Sequence, residues 1–200
     1  MFIKICGITN TQDALDAVAC GADALGFLFT ESPRKISMDT ARAIVKQLPT
    51  NILTIGVFRD QDSSEVIDTV HKVGLVGAQL HGRESVIQVS EVMSEVAWVA
   101  KSVIAGSHEA RTADDFGTPM ILVDSAHPGT GTSYDLNLLQ QIPSSIRCIL
   151  SGGLNVTNVA KSIRTVSPWG VDVSSGVEVS PGIKDRAKMQ DFITNARSLS

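Results

Sequence analysis

Residues 146–176, IRCILSGGLNVTNVAKSIRTVSPWGVDVSSG, contain one complete structural unit from which the fold of the whole chain can be inferred. An apolar run of strand type leads into a glycine-containing turn, then a stretch with helical periodicity, then a second apolar run that ends in SSG. Short β-branched runs that alternate with longer helical stretches predict βα units around a parallel sheet. The segment therefore predicts two parallel strands joined by a helix.

The same unit repeats along the rest of the chain. The predicted strands are residues 2–7, 24–29, 53–58, 77–82, 98–103, 119–125, 146–152 and 170–176. The predicted helices follow Asn10 or Thr11, Ser37, Asp62 and Asn155, occupy 84–95, 108–116 and 135–141, and resume from Lys184 onward. Alternation alone does not separate an open doubly wound sheet from a closed barrel. Eight evenly spaced units without a dinucleotide-binding fingerprint favour closure, so we predict a (β/α)8 TIM barrel with a closed eight-stranded parallel sheet.

Length and composition restrict the class of protein. At 200 residues without a linker or low-complexity tract, residues 1–200 are expected to form a single domain. A net charge of -4 argues against a nucleic-acid partner, and the absence of about 18 consecutive apolar residues argues against a membrane protein. The first residues lack the features of a signal peptide, so we expect a cytoplasmic location. Three cysteines, at spacings typical of neither a disulfide framework nor a zinc site, predict no metal centre.

Two glycine-containing strand ends are candidate phosphate-binding turns. Barrels carry their chemistry at the carboxyl ends of the strands, and the phosphate of a substrate often lies after the seventh and eighth. There the sequence has Gly152 and Gly153, followed one unit later by Ser174, Ser175 and Gly176. Glycine allows backbone N–H groups to approach an anion, and serine adds hydroxyl donors. Each turn alone could simply be a tight turn, but the two on neighbouring strands favour phosphate.

Four polar residues in otherwise apolar strands are candidates for catalysis or internal pairing. Asp124 follows a fully apolar strand, where partial desolvation would make its carboxyl group usable as a general acid. Cys6 ends the first strand, and its thiol can act as a base or nucleophile if nearby groups favour the thiolate. Lys4 and Asp172 lie in strands that are neighbours in a closed barrel. Because a buried charge is costly when it is alone, we predict that these two side chains pair inside the barrel.

Other polar residues have competing interpretations. His81 could be a base, but a histidine hydrogen-bonded in a strand-end turn is the interpretation we prefer. Lys101 in the fifth strand could form a Schiff base in an aldolase-like enzyme, or it could be a buried lysine with a charged partner. Cys20 and Cys148 are interpreted as small apolar core residues.

The sequence resembles the phosphoribosylanthranilate isomerase family from Lys4 almost to the C-terminus. The matching motifs are KICGITN (4–10), GFLF and SPRKIS (26–37), GVF (56–58), QLHG (79–82), ILVDS (121–125), LSGGLNVTNV (150–159) and VDVSSGVEVSPGIKD (171–185). Their number and order on the predicted strands make a chance match improbable.

The resemblance implies a reaction and roles for individual residues. The reaction is an Amadori rearrangement of N-(5-phosphoribosyl)anthranilate to 1-(2-carboxyphenylamino)-1-deoxyribulose 5-phosphate in tryptophan biosynthesis, an internal redox isomerisation that needs no cofactor. Cys6 matches the general base that removes the proton from sugar C2, and Asp124 matches the general acid that protonates the ring oxygen. Arg34 matches the residue that holds the anthranilate carboxylate, although it could also be a solvated loop charge. The phosphorylated small-molecule substrate would bind the two turns described above, and Asp172 is grouped with the substrate-binding residues.

One segment departs from the family, and rival functions remain to be separated. In residues 127–139, HPGTGTSYDLNLL, the family's basic or amide residue, phenylalanine and tryptophan are replaced by Thr132, Tyr134 and Leu136, so substrate contacts from this loop are in doubt. The nearest rival is the histidine-pathway isomerase, which resembles a duplicated half-barrel and has an aspartate where Cys6 stands here. A barrel that binds a phosphorylated ligand without catalysis is a second rival. Nothing in the sequence marks a dimer interface, so we expect a monomer.

Overall fold

A computed structural model describes residues 1–126 and 134–198 and contains a closed barrel of parallel strands. The strands are β1 Phe2–Cys6, β2 Ala24–Leu28, β3 Leu53–Phe58, β4 Gly77–Leu80, β5 Trp98–Ile104, β6 Met120–Asp124, β7 Arg147–Leu150 and β8 Gly170–Val173. Each pairs in parallel with the next in sequence, and β8 pairs with β1 to close the barrel. The predicted fold class and all eight predicted strands are confirmed.

Helices on the outside of the barrel connect most of the strands. They are α1 Thr11–Ala19, α2 Met38–Val45, α3 Ser63–Val73, α4 Val86–Glu95, α5 His108–Arg111, α6 Val159–Val166 and α7 Arg186–Arg197. Asn10, Ser37 and Ser85 accept the backbone N–H of the third residue after them, which satisfies donors at the helix start that lack a partner within the helix. In the described part of the chain, no helix combines the length and the apolar character needed to cross a bilayer.

Three predicted helices differ from the structure. Residues 108–116 form α5 followed by a 3-10 turn, Ala113–Phe116, and the segment before β7 is a 3-10 helix, Leu136–Gln141, rather than an α-helix. Helix α6 begins at Val159, later than predicted. Before it, the Asn155 carboxamide accepts the backbone N–H groups of Thr157 and Asn158, and the Asn155 carbonyl accepts that of Val159, so Asn155 caps a turn that leads into α6.

A short hairpin after β8 was not predicted. A 3-10 turn, Ser175–Val177, leads into β9 Glu178–Ser180, which pairs antiparallel with β10 Ile183–Lys184. The hairpin brings two charged side chains, Glu178 and Lys184, into buried positions beside the barrel.

Alternation along β1 separates an apolar outer face from a polar inner face. In β1, Ile3 and Ile5 belong to the main apolar core, whereas Lys4 and Cys6 alternate with them. Successive side chains of a strand point to opposite faces, so Lys4 and Cys6 share the other face. This arrangement places the thiol at the carboxyl end of the barrel, with a buried ammonium group beneath it.

Candidate active site

Lys4 and Asp172 form an ion pair inside the barrel, as predicted. They lie opposite each other in the register of β1 and β8, and Lys4 Nζ donates to Asp172 Oδ1 over 2.9 Å. Lys4 is fully buried. Burial alone would lower the pKa of Lys4, but Asp172 and Cys6 together keep it above its ordinary value.

Cys6 lies beside this pair in a space that a glycine provides. A Cβ atom added at Gly26, the residue opposite Cys6 in β2, would lie 2.7 Å from Cys6 Sγ and 3.1 Å from Lys4 Nζ. Burial holds the pKa of the Cys6 thiol above its ordinary value and Asp172 adds to this, while Lys4 and, more weakly, Lys184 act in the opposite direction. The position therefore disfavours the thiolate by desolvation and favours it by neighbouring cations.

Arg34 is held by a carboxylate from the hairpin rather than surrounded by solvent. Arg34 Nε and Nη2 each donate to the Glu178 carboxylate over 2.8 Å, one to each oxygen. The same carboxylate accepts a hydrogen bond from Lys184 Nζ over 2.7 Å. Although burial acts to raise the pKa of Glu178, its bonds to Arg34 and Lys184 keep it below its ordinary value. The interpretation of Arg34 as a solvated loop charge is therefore wrong.

Asp124 ends β6 beside a backbone N–H group and an imidazole. The backbone N–H of Ser125 donates to Asp124 Oδ1 over 2.7 Å, and His81 Nε2 lies 3.5 Å from Asp124 Oδ2. On its other side, His81 Nδ1 lies 2.8 Å from Gln79 Nε2. Asp124 is itself buried at the bottom of the cleft.

One cavity of about 440 Å³ connects these groups. Its lining includes Cys6 from β1, Arg34 from the loop after β2, His81 from beyond β4, Asp124 from β6 and Asp172 from β8. A thiol and a carboxyl group thus face the same space from different strands, which is the arrangement needed to remove a proton at one atom and deliver a proton at another.

A smaller cavity next to it is lined by the two predicted turns. Gly152, Gly153, Ser174 and Ser175 all line it, and Asp124 and Asp172 are shared with the larger cavity. Gly152 and Gly153 have φ angles of 86° and 68°, the left-handed region that favours glycine.

Gly176, the fifth residue predicted for this site, lies outside the lining of the smaller cavity. A Cβ there would lie 1.9 Å from the Leu154 carbonyl oxygen, so this glycine permits close packing between the two turns.

Comparison with known proteins identifies the family of the chain. The family model described as N-(5'phosphoribosyl)anthranilate (PRA) isomerase matches residues 3–195. The chain belongs to the N-(5'-phosphoribosyl)anthranilate isomerase family. A relative of that name from Desulforudis audaxviator is 42% identical over 199 residues, covering 98% of this chain and 97% of the relative.

Solved structures of the isomerase family support the same assignment. The phosphoribosylanthranilate isomerase from Thermus thermophilus superposes with a TM-score of 0.94 at 34% identity, covering 100% of both chains. A second family structure, solved in complex with reduced 1-(o-carboxyphenylamino)-1-deoxyribulose 5-phosphate, has a TM-score of 0.87 at 37% identity and covers 99% of both chains. This chain is thus an isomerase of tryptophan biosynthesis that catalyses an intramolecular aldose–ketose rearrangement. The histidine-pathway and non-enzymatic alternatives are set aside.

The amino group of Lys101 is enclosed by hydrogen-bond acceptors of the protein. Lys101 Nζ lies 3.1 Å from Glu84 Oε2 and donates to the carbonyl oxygens of Leu80, Gly82 and Ser102. A lysine whose Nζ is enclosed by a carboxylate and three carbonyl oxygens is poorly placed to attack a substrate carbonyl, which a Schiff base requires. The paired-lysine interpretation is the one that the contacts support.

The loop in which this chain departs from the isomerase family is only partly described. Residues 127–133, which include Gly129, Gly131 and Thr132, lie outside the described residues. Tyr134 is described, and its hydroxyl donates to the Val123 carbonyl over 3.3 Å. A Cβ at Gly152 would lie 2.8 Å from the Tyr134 ring, so this aromatic residue packs on the turn beside Asp124.

Sequence reasoning missed three residues of the site. Glu178 and Lys184 lie in the motif that carries the family resemblance, but no role was assigned to them. Two charges at a spacing of six, in a segment with little helical pattern, were the available signal for a charged hairpin. Gln79 was likewise not singled out, although it is buried and its Oε1 atom has no hydrogen-bond partner among the described residues. A polar residue in the middle of QLHG was its signal.

Cys20 and Cys148 do not line the cavity that contains Cys6. Cys20 is buried in the apolar core, and Cys148 is half-buried, with burial raising its pKa to about 12. Within residues 1–126 and 134–198, no three His, Cys, Asp or Glu side chains come together as metal ligands.

Proposed function

We propose that Cys6 is the general base and Asp124 the general acid of the isomerisation. The observation that carries the proposal is that both groups line one cavity, from β1 and β6, next to the glycine turns after β7 and β8. As the furanose opens, the Asp124 carboxyl group protonates the ring oxygen, and the Cys6 thiolate then removes the proton from C2 to form the enolamine. Because the oxidation and the reduction occur within one substrate, the proposal requires no cofactor.

Arg34 is proposed to bind the anthranilate carboxylate. Its guanidinium group is held through Nε and Nη2, and among the described residues no acceptor takes Nη1. These remaining donors, on a side chain that lines the cavity, are suited to a planar carboxylate. Because Glu178 restrains the side chain before substrate arrives, less conformational entropy is lost on binding.

The phosphate is proposed to bind the backbone and hydroxyl donors of Gly152, Gly153, Ser174 and Ser175. These residues line one small cavity at the carboxyl ends of β7 and β8. Gly176 contributes through the close packing of the two turns. Asp172 touches both cavities, and we propose that it acts on the substrate mainly by holding Lys4 in place.

Turnover of freshly generated phosphoribosylanthranilate, followed by the loss of its anthranilate fluorescence, tests the assignment. We expect Cys6→Ser and Asp124→Asn each to lower kcat by about a thousandfold, because general acid and base groups contribute roughly 10²–10⁴-fold. Cys148→Ser, a cysteine outside the cavity, is the matched control and should retain the rate. Near-wild-type activity in a folded Cys6→Ser variant would exclude the thiol as base. An inactive wild type would instead direct attention to residues 127–139.

We propose that residues 1–200 act as a single monomeric domain in the cytoplasm. The three cysteines are all free, which is usual for a reducing compartment. A family member from Thermotoga maritima, 36% identical, is described as dimeric. Light scattering coupled to size-exclusion chromatography separates the two assemblies: a mass near 21.2 kDa supports the monomer, and twice that mass overturns it. Cell fractionation tests the location.

A further inference from the structure

Three charged side chains beside the cleft form one buried cluster with unequal charges. Arg34, Glu178 and Lys184 are all buried, and the two cations share the single carboxylate. Lys184 Nζ contacts only acceptors, namely Glu178 Oε1 at 2.7 Å, the Ser174 carbonyl at 3.3 Å and the Ser174 hydroxyl at 3.4 Å. Burial lowers the pKa of Lys184 below its ordinary value, whereas Glu178 and the other acceptors favour the ammonium form. The ion-paired cluster therefore carries one more positive charge than negative.

The excess belongs to the ion-paired cluster, and other charged groups lie around it. Lys4 and Asp172 neutralise each other from β1 and β8. Asp13, in the first turn of α1, accepts the backbone N–H of Lys184 over 2.8 Å, at a helix N-terminus that favours negative charge. The ionisable groups farther along the cavity lining are Glu31, Arg59, His81 and Asp124.

The cluster contacts the residue that follows Cys6 in the chain. Gly7 follows Cys6, and a Cβ there would lie 2.6 Å from Arg34 Cδ and 2.9 Å from Ser174 Oγ. Ser174 in turn contacts Lys184 Nζ. The backbone at the end of β1 is thus packed between Arg34 and Ser174, the residue that contacts Lys184. The thiol of Cys6 is a nearby group that can supply a further negative charge to the cluster.

We propose that Lys184 is a positioning residue whose ammonium group, held by Glu178 and Ser174, favours the thiolate form of Cys6. The inference rests on the proposed role of Cys6 as the base. It adds a reason why a buried thiol can serve: desolvation raises its pKa, and the excess positive charge of the cluster acts against this. A purely structural role for Lys184 predicts instead that its loss changes stability and leaves the ionisation of Cys6 alone.

The test measures the ionisation of Cys6 without turnover. Iodoacetamide alkylates the thiolate, and peptide mass spectrometry reports the rate at Cys6 separately from Cys20 and Cys148, which serve as references within each sample. The variants are Lys184→Met, which removes the charge, and Lys184→Arg, which keeps it. Lys188→Met is the matched control, since Lys188 bonds to the Glu178 carbonyl from a half-exposed position on the same segment.

We expect Lys184→Met to move the midpoint of the Cys6 alkylation profile upward by about one pH unit, which is about tenfold slower alkylation below the midpoint. Lys184→Arg and Lys188→Met should keep the wild-type midpoint. A wild-type profile in folded Lys184→Met, or an equal shift in Lys184→Arg, would overturn the proposal. If Lys184→Met does not fold, Lys184→Gln removes the charge while keeping a polar group beside Glu178 and Ser174; the same upward shift is expected, and an unchanged midpoint overturns the proposal. Turnover by Cys6→Ser tests the base assignment separately, so the two ideas can fail independently.

Discussion

The two sides of the cleft hold their ionisable groups in opposite ways. On the β1 and β8 side, Cys6 has two buried ion-paired lysines, Lys4 and Lys184, among its neighbours. On the β6 side, Asp124 is contacted by a backbone N–H and a histidine, and in the described part of the chain no lysine or arginine pairs with it.

This difference matches the two proposed tasks. A buried thiol must lose its proton before it can act as a base, and nearby cations favour the charged form. A general acid must keep a proton until the ring oxygen requires it, and a nearby cation would favour its loss. The base side, which is the β1 and β8 side with Cys6, should therefore be sensitive to the removal of a charge. The acid side, which is the β6 side with Asp124, should be sensitive mainly to geometry.

Removing the Lys4 charge should have the largest combined effect. Lys4→Met leaves Asp172 buried without its partner, and breaking a buried pair in this way costs about 3–5 kcal/mol of unfolding free energy. Because the ammonium beside Cys6 is also lost, kcat/KM should fall more than tenfold in the fraction that remains folded. Urea denaturation and the fluorescence assay measure the two effects.

A double variant separates the charge effect from the stability effect. Lys4→Met with Asp172→Leu removes both charges, and replacing a buried pair with apolar residues is often neutral for stability. We expect the double variant to recover stability while its activity stays low. If Lys4→Met kept the wild-type free energy of unfolding, the buried Asp172 carboxylate would not need Lys4 as its charge partner.

Part of the site could be predicted from the sequence, and part could not. The pair of Lys4 and Asp172 follows from the period of two along a strand and from barrel closure, which makes β1 and β8 neighbours. Cys6 and Asp124 follow from their positions at strand ends. The bond between Arg34 and Glu178 joins residues 144 positions apart and depends on a hairpin with no periodic signal, so sequence alone did not indicate it.

The start of α6 could be predicted only to within one turn. Asn155 resembles a helix cap in sequence, and its side chain accepts the backbone N–H groups of Thr157 and Asn158 as a cap does. Regular α-helix begins only at Val159, and boundaries of this kind commonly differ by one or two residues.

A methyl group at Gly26 should disturb the base side without changing its charges. The added Cβ of Gly26→Ala would lie 2.7 Å from Cys6 Sγ, so the thiol must move. Misplacing a reacting group by about 1 Å can lower the rate roughly a hundredfold, and we expect a loss of kcat/KM of about 10- to 100-fold.

The matched control for Gly26→Ala lies on the next strand. In Gly56→Ala the new Cβ would lie 2.6 Å from Phe58 and 3.0 Å from Leu75 in the apolar layer, away from the cleft. This variant should lose stability but keep kcat/KM per folded molecule. Full activity in Gly26→Ala would contradict a base that needs the observed thiol position.

Replacing His81 should have the smallest effect, because its contact with Asp124 is long and a second donor holds the carboxyl group. His81 Nε2 lies 3.5 Å from Asp124 Oδ2, a long contact for a hydrogen bond, and the Ser125 N–H would still hold the carboxyl group. We expect His81→Asn to lower kcat about threefold, since a single weak hydrogen bond contributes about 0.5–1 kcal/mol. Fluorescence turnover beside Asp124→Asn measures the difference. If His81→Asn lost as much activity as Asp124→Asn, the imidazole would share the proton transfer, and the acid side would depend on a titrating partner as the base side does.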